Sequence, residues 1–106
     1  MPRRAAKVDS NQKEIVAALR GAGATVQHLH TVGQGCPDIL VGYRSRNYLM
    51  EIKDGAKPPS KQKLTPDEEE WHAAWKGDVQ VVRNAGEALF VIGVHLGSVP
   101  FLGSIE

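Results

Sequence analysis

Apolar positions recur at helical spacing early in the chain and at strand spacing soon afterwards. Ile15, Val16 and Leu19 form one apolar stripe, which predicts a helix over residues 11–20, closed by Gly21 and Gly23. Asn11, with Glu14 three positions on, has the spacing of a capping box, Asn standing in for Ser or Thr. Thr25-Val26-Gln27-His28-Leu29-His30 alternates and predicts a strand over 24–32, followed by a flexible Gly33-Gln34-Gly35 connector. Two short β-rich runs come next, 39–43 and 48–53, with the polar Arg44-Ser45-Arg46-Asn47 between them as a hairpin turn.

Beyond the hairpin, residues 54–63 (DGAKPPSKQK) read as a Pro- and Lys-rich loop. Thr65-Pro66-Asp67-Glu68 then carries strong helix-start signals: a Thr cap, Pro at the first position and Glu at the third. Trp71 and Trp75 share a face of that helix and are expected to pack into the core. A final strand is predicted over 79–83 and a short helix over 86–92. The order is thus α-β-β-β-α-β, with no internal repeat and no linker. Residues 1–8 form a basic arm, 9–93 a single domain, and 94–106 an unassigned tail carrying Leu96, Val99, Phe101 and Leu102.

Composition changes this picture little. At 106 residues the chain is long enough for one core and too short for two. Thirteen basic against twelve acidic residues leave a net charge of +1, so any affinity for nucleic acid must come from a local patch. The lone Cys36 excludes an internal disulfide and fits a reducing, cytoplasmic setting. It precedes a proline, with no His or Asn spacing to support a nucleophile, and is expected to be a small buried residue. No apolar run approaches the roughly 20 residues needed to cross a bilayer. The basic start lacks the apolar stretch of a secretory signal. His28 and His30 share a strand face while His72 and His95 lie elsewhere, which is not the spacing of a structural zinc site.

The chemistry concentrates around the hairpin. Gly35-Cys36-Pro37-Asp38 leads into its first strand, and Glu51-Ile52-Lys53 ends its second. Residues two apart in a strand share a face, so Glu51 and Lys53 project together. Antiparallel pairing through the turn brings Asp38 beside them. Two carboxylates can hold a hard divalent cation, and a nearby ammonium can steer water toward a phosphodiester. Taken singly, Pro-Asp is a common turn starter, and Glu51 with Lys53 an ordinary solvated pair.

Together with Glu14 on the first helix and the helix after the hairpin, these elements resemble the PD-(D/E)XK nuclease superfamily. Within it the chain is similar to the standalone VRR-NUC domain, the minimal form found in bacteriophages and bacteria. Val81-Val82-Arg83 resembles the element that names that domain, with Asn84 in place of a second basic residue. The resemblance implies a restriction-endonuclease-like αβββαβ core, an α/β single domain with a mixed central sheet flanked by helices. It implies that Asp38, Glu51 and the Ile52 backbone carbonyl bind Mg²⁺ or Mn²⁺, that Lys53 lowers the pKa of water or orients it, and that Glu14 reaches a second ion or its water. Asp9 is the fallback for Glu14. A Gln common in the second helix's first turn is matched by Glu68, an accessory position along with Gln62, which lies earlier in the loop. Capping alone also accounts for Glu68. Lys57, Lys61 and Lys63 on the loop, with Arg44 and Arg46 on the turn, are placed to grip DNA phosphates. The implied activity is a metal-dependent endonuclease acting as a homodimer on Holliday junctions or other branched DNA, without a small-molecule cofactor. The alternative is a non-catalytic nucleic-acid-binding module of the same fold.

Overall fold

The computed structural model describes residues 10–94. The basic arm at 1–8, Asp9 and nearly all of the 94–106 tail lie outside the described residues.

The first helix, α1 (Gln12–Gly21), forms where the apolar stripe predicts it, with Ile15, Val16, Leu19 and Gln12 on its buried face. It ends in a Schellman motif. Gly23 takes φ +100°, its N–H donates to the Arg20 carbonyl, and the Ala24 N–H reaches back to Leu19. The expected capping box at the other end does not form. Asn11 makes no side-chain cap. Its amide Nδ2 instead donates to the Lys53 carbonyl at 3.1 Å and the Arg83 carbonyl at 2.9 Å, tying the helix start to two strand ends.

The sheet holds β1 (Thr25–His28), β2 (Ile39–Tyr43), β3 (Arg46–Ile52) and β4 (Gln80–Val82) in the order β1-β2-β3-β4. The first three run antiparallel and β4 pairs parallel to β3, so the sheet is mixed. β1 is shorter than its sequence pattern suggests, because the chain turns away after His28 into a loop where Gly33, Gln34 and Gly35 all have positive φ. The hairpin is tighter than expected. Arg44 and Ser45, at φ 53° and 67°, make a two-residue turn, and Arg46 already pairs with Tyr43.

One face of the sheet is the core. Ile39, Val41, Met50, Ile52 and Val82 alternate inward and meet Ile15, Val16 and Leu19 of α1. Ala88 and Leu89 of α3 (Ala85–Val91) complete that layer, with Asn84 capping α3 through the Glu87 N–H at 2.8 Å. The opposite face carries Leu40, Leu49, Glu51 and Lys53, and here the crossover helix α2 (Pro66–Ala74) lies. α2 has no buried residue of its own. The expectation that Trp71 and Trp75 enter the core fails for this reason. Their rings stack on each other instead, centroids 4.6 Å apart, and Trp75 stays 45% exposed beside Leu40 and Leu49. Among the described residues no helix is long and apolar enough to cross a membrane.

Candidate active site

The β2–β3 register builds the site. The ladder ends with Ile39 opposite Met50, and Asp38 joins that end as an extra residue bonded to the same Met50, close to Glu51. Asp38 enters this position through two backbone bonds: its N–H donates to the Met50 carbonyl at 3.0 Å, and its carbonyl accepts from Leu29 at 2.8 Å. Its Oδ2 accepts the Ile52 N–H at 2.6 Å. In a strand the N–H and C=O of one residue face the same side. The Ile52 carbonyl therefore opens toward the same side as Asp38.

Glu51 is 1% exposed. Burial pushes its carboxyl far above the usual range, and the Asp38 and Glu68 carboxyls within hydrogen-bonding reach push it further, up to about 10. Two adjacent carboxyls that cannot both ionise are a strong cation-seeking pair. The Glu51 Oε1 is buried without a hydrogen bond. Among the described residues no cage of three His, Cys, Asp or Glu side chains forms. The donor set, two carboxylates and a carbonyl, is the open oxygen set that Mg²⁺ accepts while keeping its waters. Asp38, Glu51 and the Ile52 carbonyl therefore fit such an ion.

Lys53 lies on the same face, 8% exposed, its Nζ donating to Glu68 Oε1 at 2.7 Å. Glu68 serves two ends at once. Its N–H donates to Thr65 Oγ1 at 3.2 Å, and its Oε1 also accepts the Thr65 N–H at 2.9 Å, closing the capping box that the Thr-Pro-Asp-Glu pattern announces. Burial raises the Glu68 pKa, but the Lys53 ammonium and the Thr65 N–H outweigh it and hold the carboxyl below its ordinary value. One helical turn on, His72 places Nε2 at 3.5 Å from Glu51 Oε1, and neither atom has a hydrogen bond. Sequence reading left His72 unassigned. The signal was its i+4 spacing from Glu68, which puts both on one helix face.

Gly35 locks α2 to this arrangement. At φ +83° its missing Cβ would stand 2.2 Å from the Asp67 carbonyl, so the Gly-Cys-Pro-Asp segment and the start of α2 touch backbone to backbone. Cys36, half-buried beside the carboxyls, has its thiol pushed up by burial and then by Glu51 and Asp38, which keeps it protonated.

Other expected residues stand apart. Glu14 is exposed on α1, two residues past the buried Gln12 and on the opposite side of the helix, with no contact to Asp38, Glu51 or Lys53. Arg44 and Arg46 sit at the far end of the hairpin, six residues of strand from Asp38, roughly 20 Å at about 3.3 Å per residue. Arg44 instead lies over the Tyr43 ring, 5.3 Å from its centroid. Gln62 fastens the Lys-rich loop: its Nε2 donates to the Lys57 carbonyl at 2.6 Å, and its Oε1 accepts from Arg83 Nε at 3.0 Å. Lys57, Lys61 and Lys63 are exposed along that loop.

No protein-family model and no curated protein matches the sequence. A solved structure described as a VRR_NUC domain is similar in fold, with a TM-score of 0.56 and 25% identity over 76% of this chain and 88% of that one. With the mixed sheet and the Asp38–Glu51–Lys53 cluster already in place, this likeness identifies the fold: the chain folds as a VRR-NUC domain does.

Proposed function

We propose that the protein is a metal-dependent DNA endonuclease, selective for branched DNA such as a Holliday junction. The observation that carries the reading is the convergence of Asp38, Glu51 and Lys53 at one sheet end, with two carboxyls competing for a proton. Asp38, Glu51 and the Ile52 carbonyl would hold Mg²⁺ or Mn²⁺. Such an ion would supply Lewis acidity, neutralising charge on the phosphate and acidifying water. Lys53 donates to a phosphate oxygen or to the attacking water, offsetting charge that builds as the bond to phosphorus forms. Glu68 holds the Lys53 ammonium in line, and Asn11 anchors the backbone at Lys53. His72 limits the freedom of the Glu51 carboxylate. Lys57, Lys61 and Lys63 grip the DNA backbone without reading its sequence. Glu14 takes part only through a contact that DNA or metal would have to create. A small site cuts one strand, so paired cuts across a junction call for a two-fold homodimer.

The test is cleavage of a labelled panel with Mg²⁺, Mn²⁺ or EDTA. The panel holds a four-way junction, a 5′ flap, a linear duplex and a single strand, with wild type and Lys53→Ala side by side. Metal-dependent cutting that Lys53→Ala abolishes is expected, strongest on the junction. Salt-sensitive DNA binding without cutting under either metal would instead identify a non-catalytic binding module.

A further inference from the structure

A second concavity lies at the sheet edge, between α1 and β1, with a volume of about 400 Å³. This is the size range of small-ligand sites. Its floor is apolar, built from Val16, Ala17 and the stems of Lys13 and Arg20. His28 and His30 form a corner of two imidazoles, ring centroids 6.0 Å apart and 78° from parallel. No carboxylate lines it among the described residues, and Lys13 and Arg20 make its rim positive.

Two polar atoms there are buried with nothing to bond. Gln12 is 2% exposed, and its Oε1 has no partner, nor does His30 Nδ1. The Gln12 Nε2 lies 3.2 Å from His28 Nδ1. The amide can therefore present either its oxygen or its NH₂ to the cavity, according to the His28 tautomer. A folded domain rarely leaves such atoms unsatisfied unless a ligand or water meets them.

We propose that this cavity receives a nucleotide whose base has left the stack, on the same strand that Asp38, Glu51 and Lys53 engage. An unstacked base offers a flat apolar face and an edge of mixed donors and acceptors. The imidazoles and the apolar floor take the face. The Gln12 amide, one donor group and one acceptor, takes the edge. Lys13 and Arg20 take the phosphate; Arg20 spends one N–H on the Val26 carbonyl at 3.4 Å and keeps the others. The position also suits the strand. His28 pairs with Ile39, next to Asp38, two strand spacings of about 4.8 Å from β3 within the sheet; it faces α1 while Glu51 faces α2, so the DNA strand reaches the cavity by rounding the β1 edge. The proposal rests on the nuclease reading and deepens it: branched DNA is selected because a branch point supplies unstacked nucleotides.

The test uses no cleavage, so it separates this site from the nuclease activity. In EDTA, the four deoxynucleoside monophosphates and inorganic phosphate are titrated while the His28 and His30 ring resonances are followed by NMR. In parallel, binding is compared between a fully paired duplex and one with a single unpaired nucleotide, for wild type, His30→Ala and the exposed-site variant Lys13→Ala. The nucleotides should shift the ring resonances and phosphate alone should not. The unpaired nucleotide should tighten binding about tenfold, an advantage lost in both variants. Equal shifts from phosphate would reduce the cavity to a plain anion site and overturn the proposal. Equal binding of the two duplexes would overturn it too, even if free nucleotides bind. Cutting without ring shifts sinks the cavity and keeps the nuclease; ring shifts with the expected duplex preference but no cutting do the reverse.

Discussion

Replacing Glu51 by Gln should stabilise the metal-free protein at neutral and alkaline pH. In the fold, burial and the facing Asp38 hold Glu51 protonated up to about 10, against an ordinary 4.5. The folded state therefore keeps a proton that the unfolded chain releases above 4.5. Stability tied to that proton is complete below pH 4.5 and is lost as pH rises toward 10. At pH 7.5 the loss spans three pH units at about 1.36 kcal/mol each, a ceiling of about 4 kcal/mol. Asp38 shares the proton, which spreads the cost over the pair, so ~2 kcal/mol is the expected size. Gln keeps the shape and an N–H donor while removing the titration. Thermal unfolding followed by circular dichroism in EDTA should then show Glu51→Gln melting roughly 10 °C above wild type at pH 8 and close to it at pH 5. Excess Mn²⁺ should raise the wild-type Tm and leave the variant nearly unmoved. A difference between the two proteins that does not change with pH would refute the buried-proton account. So would a variant that is the less stable protein at pH 8.

Two further substitutions probe how α2 is held. Gly35→Ala forces a Cβ to 2.2 Å from the Asp67 carbonyl at a φ of +83°; a loss of about 3 kcal/mol is expected in denaturant unfolding, together with loss of cutting, and a change under 1 kcal/mol would mean that α2 yields freely. His72→Ala should weaken Mn²⁺ binding about tenfold and His72→Gln should largely retain it, read from tryptophan fluorescence, Trp71 being in ring contact with His72; unchanged affinity in the Ala variant would leave His72 no part in holding Glu51.

Local pattern alone carried the order of elements and the Asp38–Glu51–Lys53 cluster. The reason is short range: strand alternation puts Glu51 and Lys53 on one face, and a hairpin ties Asp38 to the same end, so only the sixteen residues from Asp38 to Lys53 are involved. The Thr65–Glu68 cap was legible for the same reason. What the pattern could not reach were partners distant in sequence. Asn11 looked like a helix cap, but two strand-end carbonyls brought near by the fold compete for its amide. The tryptophans looked like core, yet α1 and α3 already cover the sheet's core face and α2 lies across the other. Which face of the first helix turns inward was likewise out of reach: Gln12 is buried and Glu14 exposed. His72 reaches Glu51 only because the parallel β3–β4 crossover lays α2 across the open face. The chemistry available at the hairpin is written into the local chain; which side chains from elsewhere stand against it is a matter of packing, since only packing sets the rotation of a helix over a sheet.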